Sequence, residues 1–338
     1  MKIDVDLDSG SLASISASAR ALEEAGYDGL WTAETAHDPF LPLVAAAQSS
    51  SRAELGTGIT VAFARTPMTV AYTARDLQAY SGGRFLLGLG SQVKPHIEKR
   101  FSMTWSHPAP RMREFICALH AIWDSWDNGT PLNFRGDFYQ HTLMTPFFTP
   151  PAIPWPRPRV ILAAVGETMT RTAGEVADGI FLHGFTTERY IREVTIPAVE
   201  DGLRRSGRSR QDFQVAHAPL IVTGRTQEQV AQARQAVRQQ IAFYGSTPSY
   251  KRVLELHGWG ELAGELNSLS RSSREDKWSA MADLVDDDVL AAFAVVAEPG
   301  QVADALISRF GDVVDRLKFY APYESEPALW DEIRSRLA

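Results

Sequence analysis

Cysteine is almost absent: Cys117 is the only one in 338 residues. An intramolecular disulfide is therefore impossible, and metal centres built on cysteine pairs are excluded with it. Cys117 falls at helical spacing among the apolar residues of REFICALHAIW, the setting of a buried structural thiol rather than of a nucleophile. No apolar run reaches the ~18 residues of a membrane span. The opening MKIDVDLDSG carries acidic residues where a secretion signal has a basic and then an apolar stretch. A reduced, cytoplasmic setting is the expectation. Positive charge is also scarce: 34 basic against 41 acidic residues leave a net charge of −7, with no basic block. Nucleic acid is a poor partner for such a surface, and a small molecule is the expected one.

Other absences remove whole mechanisms. There is no H-E-x-x-H, no acidic EF-hand loop, no G-x-S-x-G elbow and no G-x-x-x-x-G-K-[ST] loop. No dedicated metal site is expected. RFLLGLGSQVKPHIEKR, residues 84–100, starts like a dinucleotide fingerprint, with Gly88 and Gly90 after an apolar strand. The third glycine, which lets the helix pack close to the strand, is replaced by Val93, so the Rossmann reading fails. Two carboxylates at strand ends, Glu34 and Glu167, leave glycoside chemistry open. A chain so poor in nucleophiles and metal ligands points to an organic cofactor.

What is present is alternation. Lys2–Leu7 reads as a strand, and Leu12–Ala25 as a helix stopped by Gly26. YDGLWTAE, ELGTGITVAF and RFLLGLG continue the strands, each followed by a helical pattern. Residues 130–157, rich in proline and phenylalanine, interrupt the rhythm. RVILAAV, DGIFLHGF, FQVAHAPLIVTG and DVVDRLKFYAP complete eight strands, with a second interruption at about 245–300. Eight βα units over one domain of residues 1–338 predict an α/β fold, a (β/α)8 TIM barrel with two insertion segments.

In such a barrel the reactive groups stand at the carboxyl ends of the strands. Those positions hold Glu34, Thr35, His37, Asp38 and Arg65, then Gly90, Ser91, Gln92, Lys94 and His96. Further on they hold 163–167, His183, Gly184, Thr186, His217, Tyr320 and Tyr323. Each has a plainer role beside the chemical one. Glu34 pairs with Arg65 or serves the site, and His37 orders a loop with Asp38 or moves protons. His96 and Arg100 form a solvated helix face or meet the ligand. His217, alternating with Val215, is an interior histidine or a further acid/base group. Gly166 permits a turn, or opens a helix N-terminus to an anion. Phe40, Trp105, Phe147, Phe148 and Trp155 line a pocket or fill the core under the insertion.

EEAGYDGLWTAE, LGTGITVAFARTP, SGGRFLLGLGSQ, RMREFICALHAIWDSW and AGEVADG, in that order and spacing, resemble the bacterial-luciferase-like superfamily. The resemblance covers nearly the whole chain and is closest to the coenzyme F420-dependent oxidoreductase branch. It implies a luciferase-like barrel, a homodimer, and coenzyme F420 at the mouth, with FMN as the alternative cofactor. A bulge with a cis peptide under the cofactor ring is implied at Gly58–Ile59. Thr35 and Glu34 match the polar strand-2 end. Ala163, Ala164, Val165, Gly166 and Glu167 match the segment around the cofactor chain and phosphate, and His183, Gly184 and Thr186 match the strand-6 phosphate region. Gly88 and Gly90 are read as narrowing their strand so that the cofactor approaches, with Ser91 and Gln92 offering hydrogen bonds. Gln92 stands near a position where relatives carry a glutamate acid, a departure that shifts the proton-transfer role toward His37 and His96, with His183 and His217 behind them. Lys94, Arg100 and Arg65 are the expected partners of an acidic cofactor tail. Hydride transfer to a small organic substrate is the expected activity. The rivals are an FMN-dependent monooxygenase and a non-catalytic flavin-binding barrel.

Overall fold

The computed structural model describes residues 1–7 and 10–337. Its first helix shows how local signals set the frame. Ser11 caps Leu12–Ala25 by accepting from the Ala13 amide at 3.3 Å, and Gly26, at φ +96°, ends it in the left-handed region. Near that end the Glu23 carboxylate accepts the backbone amides of Ser51, Arg52 and Ala53 at 2.6–3.0 Å. It thereby ties the helix to the start of the third strand. Burial alone would raise this carboxyl, but the three amides and the Ser51 hydroxyl hold it at about 2, against an ordinary 4.5. Its folded pKa is depressed, so its contribution is present above about pH 4.5 and is lost as the pH falls through about 2. Glu23→Gln is expected to cost about 2–3 kcal/mol at pH 7 in urea unfolding, and progressively less toward pH 3.

Eight parallel strands form the barrel: β1 (Lys2–Asp6), β2 (Gly29–Thr32), β3 (Glu54–Thr57), β4 (Phe85–Gly90), β5 (Arg159–Ala164), β6 (Gly179–Leu182), β7 (Gln214–His217) and β8 (Arg316–Lys318). Each pairs with the next, and β8 pairs with β1 to close the ring, with Ile3 opposite Leu317. Alternate side chains fill the interior in layers. The lowest layer is charged: Arg316 holds Asp4 through two bonds of 2.7 and 2.8 Å and also binds Glu54, which Lys2 reaches at 2.6 Å. Above it the Trp31 indole lies in the space left by Gly56, with Phe181 edge-on at 4.9 Å. These two rings close the barrel beneath its mouth.

Two expected elements differ. The seventh strand, expected to run through FQVAHAPLIVTG, is interrupted after His217, although Leu220 still bridges Tyr320 in the same register beyond β8. Leu220–Val222 also pairs with Ala294–Val296 in a parallel ribbon. Pro219, which has no amide to donate, lies between the two halves. The segment expected to break the rhythm at 245–300 is helical, with Lys251–Leu256, Gly260–Ser270, Lys277–Asp283 and Asp287–Phe293. Their apolar faces join Phe185, Val237 and Ile241 in an apolar cluster distinct from the main one. The 130–157 segment carries a short hairpin, Phe134–Arg135 with Gln140–His141. Cys117 is half-buried, and burial raises its thiol. No helix among the described residues is long and apolar enough to cross a membrane.

Candidate active site

The mouth is built around a break in β3. After Thr57 the Gly58–Ile59 peptide is cis, at the position the sequence resemblance implied, and pairing resumes at Thr60–Val61 against Leu89 and Gly90. The Gly58 amide donates to Thr32 at 2.7 Å, and the Ile59 carbonyl accepts from Glu34 at 3.2 Å. A Cβ on Gly58 would meet only Trp31, at 3.7 Å, so this face of the bulge is open. The glycines of β4 have another use than the expected one. A side chain at Gly88 would overlap the Thr57 carbonyl and come within 2.9 Å of Phe181, and one at Gly90 would lie 2.7 Å from Ile59. They make room for the neighbouring strand and the bulge, not for a ligand.

Polar groups expected at the β2 and β4 ends are largely committed to one another. The Glu34 carboxylate, 7% exposed, accepts from Arg65 at 2.6 Å and from the Val61 amide at 2.7 Å. The ion pair weighed against a chemical role is thus present. Arg65 also binds Asp38 at 3.0 Å. Thr35 is exposed, and its carbonyl accepts from Arg100. His37 and His96 are both exposed on the rim, His96 opening the wide π-helical turn His96–Arg100. Gln92 adopts φ +60° and accepts the Val93 amide on its own side chain, while Ser91 donates to the Gln92 carbonyl. Lys94 lies 3.8 Å from Glu98. The cations expected for an acidic tail, Arg65, Lys94 and Arg100, therefore all have protein partners.

A shallow cleft opens at the ends of β5 and β6. It unites the expected Ala164, Val165, Gly166, His183 and Thr186 with Thr170, Ser249 and Arg252, which the sequence reading missed. Gly166, at φ +76°, precedes the helix Glu167–Val176, and a Cβ there would meet nothing within 4 Å. The first amides of such a helix have no partner within it, the arrangement that suits an anion. Arg252 stands on the rim, 69% exposed and 3.6 Å from Glu167. A cradle free of side chains, a helix N-terminus, buried threonines and a guanidinium fit a phosphate monoester or diester. Ala163 lies inside the barrel, its Cβ 3.7 Å from where a Gly90 side chain would begin. Glu34 and Glu167 are each ion-paired to an arginine, so neither stands free as the carboxylic acid of a glycosidase pair.

His183, just beyond the end of β6, packs against an aromatic wall. Its Nδ1 accepts the Phe185 amide at 3.0 Å, so the neutral ring carries its proton on Nε2, 3.2 Å from the Tyr250 hydroxyl. Tyr250 stacks on His183 at 4.5 Å, Tyr244 meets it edge-on at 4.7 Å, and the Tyr244 and Tyr320 hydroxyls are 2.8 Å apart. Gly184 gives Tyr320 its place, since a Cβ would come within 2.8 Å of that ring. Burial holds His183 down at about 4 and, with Tyr244, pushes Tyr250 up to about 12. His217, expected inside the barrel, is on its outer face. It pairs in register with Leu317 rather than Arg316, and its ring packs edge-on to Phe310 of the helix Val302–Phe310. Burial, with Arg309 and His183 adding to it, lowers it to about 3.

The five aromatics divide. Phe40 is buried and Trp105 packs on Phe63, whereas Phe147 and Phe148 are 89% and 62% exposed and fill neither pocket nor core. Trp155 lies over Gly83. Among the described residues no three His, Cys, Asp or Glu are grouped to hold a metal ion.

A closed parallel barrel with a cis bulge on β3 and a cleft at the ends of β5 and β6 frames the candidate site, and sequence comparison gives the family. Residues 1–316 match the luciferase-like monooxygenase family, and the chain belongs to it. An uncharacterised protein of Mycobacterium tuberculosis H37Rv is 56% identical over 306 residues, 90% of this chain and 89% of that one. The 5,10-methylenetetrahydromethanopterin reductase of Archaeoglobus fulgidus is 27% identical over 291 residues, 84% and 82% of the two chains. Among solved structures, the coenzyme F420-dependent tetrahydromethanopterin reductase of Methanopyrus kandleri superposes with a TM-score of 0.77 at 19% identity. That match covers 100% of this chain and 97% of that one, and shows the shared fold.

Proposed function

We propose that this chain is a coenzyme F420-dependent oxidoreductase acting on a small organic substrate. The observation that carries the reading is Arg252 on the outer rim of the phosphate cleft. FMN ends at its phosphate, whereas F420 continues from it into an acidic chain, for which an exposed guanidinium beside an open cleft is suited. The family and the named reductases support the same branch. When bound, the deazaflavin supplies a hydride at its ring carbon. The protein supplies the rest. The amides after Gly166 with Thr170 and Thr186 hold the phosphate, the open face of Gly58–Ile59 backs the ring, and Trp31 with Phe181 excludes water from below. His37 and His96, on the exposed rim, are the proposed acid/base groups.

Titration of the protein with F420 and FMN, each oxidised and reduced, tests this. Tighter binding of F420 is expected, with Arg252→Ala weakening it about tenfold and leaving FMN unchanged. Preferential binding of reduced FMN overturns the proposal in favour of a monooxygenase, and binding of neither overturns it outright.

A further inference from the structure

We infer that residues 92–107, the connection from β4 to the helix Pro108–Asn128, form a strap held shut beside the Gly58–Ile59 bulge, and that it opens to admit a ligand there. The inference goes beyond the proposed function, because it holds for whichever flavin the mouth accepts.

Backbone conformation singles this segment out. Among the described residues only three that are not glycine adopt a positive φ, and all three lie here: Gln92 at +60°, Ser102 at +55° and His107 at +39°. In that region a Cβ crowds the following carbonyl oxygen, which is why glycine is its usual occupant. A segment free to choose would relax out of it, so these residues are held by their surroundings. His107 stands at the head of the helix Pro108–Asn128 yet makes no side-chain capping bond, so capping does not account for its conformation. Between the strained points the chain forms the wide turn His96–Arg100. Ile97 is fully buried there while its neighbours on both sides are exposed, so a single side chain roots the turn.

The restraints flank the bulge. Arg100 donates to the Thr35 carbonyl, and the adjoining Glu34 amide donates to the Ile59 carbonyl at 3.2 Å. Farther along, Trp105 packs on Phe63 at 5.6 Å, and Arg111 holds the Thr104 carbonyl at 2.5 Å. The strap thus leaves β4 and is fastened to the end of β2, and β3 is the strand between those two. Its clasp is an exposed guanidinium on a neutral carbonyl, with no carboxylate partner for Arg100 among the described residues. Such a bond competes with water and breaks readily. Strain favours release and the clasp favours closure, and two opposed terms of similar size make an element with two positions.

Hydrogen exchange of the Phe101 and Met103 amides, accepted by the His96 and Ile97 carbonyls at 3.0 and 2.9 Å, reads the opening. Arg100→Met is expected to speed it about tenfold or more by removing the clasp. Ser102→Gly is expected to slow it about three- to fivefold by removing the Cβ conflict of the closed position, and Ser102→Ala to leave it unchanged. A plain flexible loop answers glycine in the opposite way, by loosening. Faster exchange in Ser102→Gly, or wild-type exchange in Arg100→Met, therefore overturns the strap. Stopped-flow uptake of F420 and of FMN tests the gating. Ser102→Gly, which changes no charge, is expected to slow association about threefold for whichever flavin binds, and a wild-type rate overturns the gate. Slowed uptake of FMN alone overturns the cofactor reading and leaves the strap standing, whereas uptake of neither overturns both.

Discussion

Gly88→Ala is expected to destabilise the protein by about 3 kcal/mol or more and to abolish cofactor binding in whatever folded protein is recovered. The added methyl would overlap the Thr57 carbonyl, a backbone atom that cannot rotate away, and would press on Phe181. The Thr57 hydroxyl both donates to the Gly88 carbonyl at 2.8 Å and accepts its amide at 3.0 Å. Relief therefore requires parting β3 from β4 next to the Gly58–Ile59 bulge, so stability and site are lost together. Urea unfolding followed by F420 titration measures both. A variant with wild-type midpoint and affinity would show that the two strands slide past the methyl and that the bulge is not positioned by them.

Arg316→Leu is expected to cost about 3–5 kcal/mol. The guanidinium is 1% exposed and is the principal counter-charge for Asp4 and Glu54 in the barrel floor. Burial raises the Asp4 carboxyl even with Arg316 present. Burial would raise Glu54 too, but Arg316 and Lys2 hold it below the ordinary range. Without the arginine, Asp4 is a buried charge with no partner and takes up a proton. A carboxyl whose folded pKa is raised favours the native state at low pH and loses that advantage as the pH rises through it. The deficit of the variant should accordingly shrink between pH 7 and pH 5, and Asp4→Asn added to Arg316→Leu should recover part of it. A deficit that is independent of pH would assign the loss to packing against Trp31, over which the guanidinium lies at 5.3 Å.

The barrel was legible because its signals are local and repeated: apolar strands, helix caps at Ser11 and Gly26, and βα alternation. The cis bulge was legible through resemblance, since GTGIT keeps its place in the chain. Arg252, Ser249, Tyr244 and Tyr250 were not. They come from the 245–300 region and the helix before it, brought to the β5–β6–β8 end only by tertiary packing, and no short-range pattern marks them, whereas Tyr320 stands at a strand end that the barrel rule marks. The roles given to Gly88, Gly90 and His217 failed for a related reason. Sequence shows that a side chain is missing or apolar in pattern, but only strand register shows what occupies the space. His217 pairs with Leu317 and not Arg316, and that single step turns it outward. The partners of the expected cations were likewise not legible: Arg65 holds two carboxylates, Glu34 and Asp38, that only the fold brings to it.

The floor of the barrel has a consequence for traffic. With Asp4 and Arg316 buried below and Trp31 and Phe181 across the middle, the interior is a cup with a single rim. Whatever reaches the reacting atoms and whatever leaves them cross the same threshold. Arrival and departure share one path, and a product slow to leave becomes an inhibitor of the next arrival.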